Sequence, residues 1–86
     1  MRYVFGIFDK VSDQYVGMLF FKAAYPAAIR EFGDIMTAKD SALSSHAADY
    51  DLMVLGEEPV GCGPDLLFHE PRVIATGATF SREVTS

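Results

Sequence analysis

RYVFGIFDKVSDQYVGMLFF, residues 2–21, is the stretch whose reading decides the fold. Its first part, Arg2–Phe8, is rich in aromatic and β-branched residues, and apolar side chains fall on both alternating faces. Successive side chains of a strand point to opposite faces, so this pattern suits a strand covered on two sides. Tyr15–Phe21 repeats it, and Asp9–Asp13 between them carries polar residue types that favour turns. Two strands on so short a link read as an antiparallel hairpin.

Downstream, Pro26 opens a helix, where its missing N–H would have no intrahelical partner in any case. Ala28, Ile29, Phe32, Ile35 and Met36 recur at spacings of three and four and form one apolar stripe, with Arg30, Glu31 and Asp34 mostly off it. Gly33 weakens this helix by up to about 1 kcal/mol relative to alanine, which suggests a backbone passing close by. Asp40 or Ser41 is placed to cap a short second helix through about Ala47. Tyr50–Leu55 reads as a third strand closed by Gly56, and Glu57–Asp65, with two prolines and two glycines, as a loop. Leu66–Phe68 and Arg72–Ala75 are two short strand candidates separated by His69-Glu70-Pro71, because Pro71 marks an edge or a break.

The expected fold class is therefore α+β, a small, mainly antiparallel sheet of ββαβ-type order packed on one main helix. A short second helix and short C-terminal strands complete it. Residues 1–86 make a single domain, with 81–86 a frayed tail.

Half of the residues are hydrophobic and 22% are charged, which excludes an intrinsically disordered chain. A chain of this size buries only about 60–65% of its unfolded surface. With a lone cysteine, Cys62, and no disulfide framework, a homo-oligomer (a dimer or larger) is the expected supplement. No apolar run is long enough for a secretory signal or a membrane span, so a cytosolic, soluble protein with no membrane partner is expected. The net charge is −5, but residues 1–30 carry +2 and residues 31–86 carry −7. A polyanion contact would have to use the first third of the chain.

Little in the sequence points to catalysis. His46 and Asp49 are the nearest approach to a ligand pair, and they read better as a solvated helix end. A zinc site needs three or four converging ligands, and none assemble here. Gly61-Cys62-Gly63 lies among Glu57, Glu58 and Asp65, whose charge disfavours a reactive thiolate. No glycine motif cradles phosphate, and Ser44, Ser45 and His46 face different ways on one short helix. The expectation is no catalytic residues, no metal, no cofactor and no enzyme.

Aromatics are what stand out. Seven of the eleven lie within positions 3–25. Aromatics on a sheet face beside Arg and Lys hold single-stranded nucleic acid in many domains, each stacked base being worth about 1–3 kcal/mol. Equally, such a face packs on a helix or closes a dimer interface, where Tyr, Phe and Met are enriched. A nucleic-acid-binding surface would draw on Arg2, Tyr3, Phe5, Tyr15, Lys22 and Arg30.

The order of motifs carries a resemblance. A strand ending Ile7-Phe8-Asp9-Lys10 is followed by Tyr15 and a strand with Phe20-Phe21. Then come AIREFGD (28–34), Ser41-Ala42-Leu43 with His46 downstream, and ADYDLMVLG (48–56). This succession resembles the nonstructural protein family of gokushoviruses and related microviruses, from about residue 3 to about residue 78. It departs at Ala24-Tyr25-Pro26, where the family has a polar cap, and at the Gly61-Cys62-Gly63-Pro64 turn.

The resemblance implies a small protein of the infected bacterial cytoplasm, absent from the mature virion. Such proteins are often labelled DNA-binding and are thought to help commit replication to single-stranded genome synthesis and packaging. It would bind single-stranded DNA weakly or work with a phage or host replication protein. The alternative is a homodimeric module docking on a host replication factor or a phage capsid precursor. Arg30 matches a family motif position, though an ion pair with Asp34 four residues on explains it as well.

Overall fold

The computed structural model describes residues 2–39, 42–58 and 67–80. Strands β1 (Arg2–Asp9) and β2 (Gln14–Lys22) form the expected antiparallel hairpin. The turn is built by Asp9, whose Oδ1 accepts from the N–H groups of Val11 (2.9 Å) and Ser12 (3.3 Å). The Asp13 N–H donates to the Asp9 carbonyl at 2.8 Å, and Asp13 sits at φ 62°, a conformation its short polar side chain tolerates.

Helix α1 (Tyr25–Met36) starts with Pro26 in its first turn, and Ala24 before it offers no side-chain cap. At the other end the Thr37 hydroxyl donates to the Gly33 carbonyl at 2.8 Å. A 3-10 turn over Ser44–Asp49 leads into β3 (Tyr50–Glu58), and β4 (Leu67–Thr76) is followed by a second 3-10 turn, Gly77–Phe80.

The sheet has the order β2-β1-β3-β4 with every neighbouring pair antiparallel, so the fold is α+β. β1 lies inside the sheet, and Val4, Phe5 and Ile7 are buried, as its two apolar faces require. β2 has the same composition but is an edge strand, and most of its side chains keep some exposure. The core lies between the sheet and α1. Phe5, Ile7, Leu52 and Val54 meet Ala28, Phe32 and Met36 there, and Ile29 and Ile35 flank them half-buried. A fully buried side chain of this kind contributes about 1.5–3 kcal/mol, which makes this layer the main source of stability.

Three expectations need correction. Gly56 does not close β3, which runs on through Glu57 to Glu58, because β4 crosses so near that only glycine leaves room. The C-terminal candidates are one strand. Pro71 is absorbed on an edge, where His69-Glu70-Pro71 bulge out opposite Leu55 between the pairs Val54↔Arg72 and Gly56↔Phe68. The second helix is a 3-10 turn broken at His46 (φ −130°, ψ 39°). The cap at Asp40 or Ser41, the Gly61-Cys62-Gly63-Pro64 turn and the 81–86 tail lie outside the described residues.

Candidate interaction surface

The alternation of β1 divides the sheet into two faces. Tyr3, Phe5 and Ile7 point to α1, and Val4, Gly6 and Phe8 point away from it. Strand register extends the outer face: Val4 pairs with Phe21, Phe8 with Tyr15, Gly6 with Met53, and Met53 with Val73. Leu19, Tyr15 and Leu55 close over Gly6, with Leu19 Cδ2 only 2.9 Å from where a Cβ would stand. Among the described residues no helix or strand covers this face. The centre of the face is closed, with Val4 (1%) and Leu55 (7%) buried, while Phe68 (60%) and Val73 (56%) on β4 and Leu19 (43%) and Tyr15 (37%) on β2 stay exposed, which leaves its two margins apolar and open. Phe8 and Tyr15 pack edge-to-face at 5.1 Å, and partial burial pushes the Tyr15 hydroxyl pKa up.

Ion pairs close both ends of the face. Arg2 Nε donates to Glu58 Oε1 at 2.6 Å, and the guanidinium lies 4.8 Å over the Phe21 ring. That hydrogen bond raises the Arg2 pKa and holds the Glu58 carboxyl below its ordinary range. At the far end Lys10 Nζ lies 3.5 Å from Asp51 Oδ1. On the helix side Lys22 Nζ lies 2.7 Å from Glu31 Oε1.

The six residues expected to hold nucleic acid do not converge. Arg2 and Tyr15 are on the outer face. Tyr3 and Phe5 are on the opposite one, with Tyr3 against Tyr25 (5.0 Å) and Phe5 stacked on Phe20 (5.7 Å). Phe5 has no exposed surface on which a base could stack. Lys22 is held by Glu31, and Arg30 stands exposed on α1, where the alternative reading, an ion pair with Asp34, is not formed. The outer-face members not singled out from sequence are Phe8, Leu19, Phe21, Met53, Phe68 and Val73. The alternation Val4-Gly6-Phe8 was the signal that separated them from the core set.

An open apolar cleft of about 380 Å³ runs between β2 and α1, lined by Ile7, Val16, Phe20, Ile35 and Leu43 with Glu31 at its rim. Among the described residues no three His, Cys, Asp or Glu side chains come together to hold a metal ion. No helix there is long and apolar enough to cross a membrane.

A family model described as Phage ORF5 protein matches residues 2–57 of the 86-residue chain, a span holding β1, β2, α1 and most of β3. No curated protein and no solved structure matches.

Proposed function

The chain belongs to the Phage ORF5 protein family, and on that premise we propose that it is a non-enzymatic accessory protein of a single-stranded DNA microvirus that works as an interaction module. In this reading it is made in the cytoplasm of the infected bacterium, stays out of the mature virion, and assists single-stranded genome synthesis or packaging by docking on other proteins. A host replication factor or a phage capsid precursor is the partner class. The observation that carries the proposal is the open apolar sheet face opposite α1.

Electrostatics support protein association over DNA binding. Of the four cations in the first 30 residues, Arg2, Lys10 and Lys22 each face a carboxylate of the same chain. Phosphate contacts supply most nucleic-acid affinity, and a cation already paired has less to offer them. The chain as a whole is at −5, which repels a polyanion further.

The test is fluorescence anisotropy of a labelled single-stranded oligonucleotide titrated with the protein at low and high salt. No saturable rise at either salt is expected. Saturable binding that weakens with salt would replace this reading with a DNA-binding one. Gel filtration of the protein mixed with capsid precursor then asks for the complex directly.

A further inference from the structure

We infer that the outer sheet face is the interface of a homodimer, in which two copies pack face to face into an α-β-β-α sandwich. The inference rests on reading that face as an interaction surface and names its occupant as a second copy of this chain; a phage or host partner would then meet the dimer outside the paired faces, as at the apolar cleft between β2 and α1.

Area is sufficient. Four strands at ~4.8 Å spacing, each about eight residues long at ~3.3 Å rise, span roughly 19 × 26 Å, a footprint of about 500 Å² per copy whose accessible surface comes mainly from the margins on β2 and β4. Two such faces in contact bury about 1,000 Å² or more, which reaches the threshold of a specific interface. Phe8, Tyr15, Phe21, Met53 and Phe68 supply the aromatic and Met character that interface cores favour.

Charge singles out the same face. Its ends carry Arg2 with Glu58 and Lys10 with Asp51, so two cations meet two carboxylates and the face is neutral. Outside these two pairs the described residues hold four basic and seven acidic side chains, a net −3, and like-charged copies repel through them. Two copies approach with least repulsion through the neutral face.

The edges of the sheet are poor alternatives. On β2, Gly17 at φ 70° sits in a bulge where residues 17–19 oppose Gly6 alone. On β4, Pro71 has no N–H to give and lies in the His69–Pro71 bulge. Bulges and edge prolines block strand addition, so association is directed to the face.

The experiment is sedimentation of the full chain across a wide concentration range, with far-UV circular dichroism to check folding. A dimer is expected. Phe68→Glu with Val73→Glu should weaken dimerisation roughly tenfold or more, and Tyr15→Glu, on the strand at the other edge, should do so independently. Met18→Glu, 89% exposed and on the β2 bulge, should leave the dimer intact. A wild-type chain that is monomeric at every concentration overturns the inference, as does a dimer that survives both folded variants. A monomer that also ignores the oligonucleotide leaves the interaction reading standing with another occupant. A monomer that binds it removes both.

Discussion

An ideal Cβ at Gly33 would stand 2.8 Å from Cε1 of Phe80, whose ring packs edge-to-face on Phe32 at 5.8 Å. Alanine in mid-helix gains up to about 1 kcal/mol over glycine. Displacing a packed ring costs about 1–3 kcal/mol, so the clash wins. Gly33→Ala should lower the urea midpoint at constant m-value, and in a Phe80→Ala background the same substitution should raise it. Equal effects in both backgrounds would show that the ring does not set the cost. At Gly56 a Cβ would meet the Leu67 carbonyl and come within 2.8 Å of the Phe68 Cα, and backbone yields less readily than a side chain. Gly56→Ala should therefore cost more than Gly33→Ala, about 2–3 kcal/mol by denaturant unfolding. The sequence suggests a backbone neighbour for Gly33 and a strand end at Gly56. The neighbours are in fact a ring at the first and a backbone at the second. The ring comes from 47 positions along the chain and the backbone from the next strand, 11 positions on, and no local pattern encodes either approach.

The hairpin and α1 are legible because their signals are local: apolar runs around a polar turn, and a stripe at spacings of three and four. β4 is harder to read, since Pro71 breaks the strand pattern and only the edge position and the bulge opposite Leu55 make it tolerable. The β1–β2 turn carries a pH signature. Burial pushes the Asp9 carboxyl up, but its hydrogen bonds from Ser12 and from the Val11 and Ser12 amides outweigh this, and its pKa is lowered. The Arg2 hydrogen bond lowers that of Glu58. A carboxyl whose folded pKa lies below the unfolded one stabilises the fold above the unfolded value, about 4, and loses that contribution as pH falls through the folded pKa. The urea midpoint should thus drop as pH is taken below about 4. Asp9→Asn should flatten this dependence, and Asp9→Asn with Glu58→Gln should flatten it further. An unchanged slope in both variants would mean that neither carboxylate controls acid unfolding.

Across the whole molecule, the cationic first third looks like a polyanion surface only while its partners are out of view. Glu31, Asp51 and Glu58 lie 9, 41 and 56 positions from Lys22, Lys10 and Arg2, and helix packing and strand register bring them together. Composition shows that the cations exist; only the β1–β3 pairing shows that two of them are spent at the ends of one face. The β1–β2 register places Phe5 inside and Tyr15, opposite Phe8, outside, dividing an aromatic cluster that looks continuous along the chain. If intrachain pairing is what withholds these cations from DNA, removing the acids should release them. Glu31→Gln, Asp51→Asn and Glu58→Gln together take the net charge from −5 to −2. They should leave the fold in place, because each pair keeps a partner at least about a third exposed and such pairs contribute about 1 kcal/mol or less. The triple variant should then bind a single-stranded oligonucleotide more tightly than the wild-type chain does. Its affinity should fall with salt at a log–log slope of up to about 2, the value for three phosphates at ~0.7 each. A folded variant that binds DNA no more tightly would mean that charge pairing is not the obstacle. It would place the obstacle in the split of the aromatics between two faces, a division made by the sheet itself.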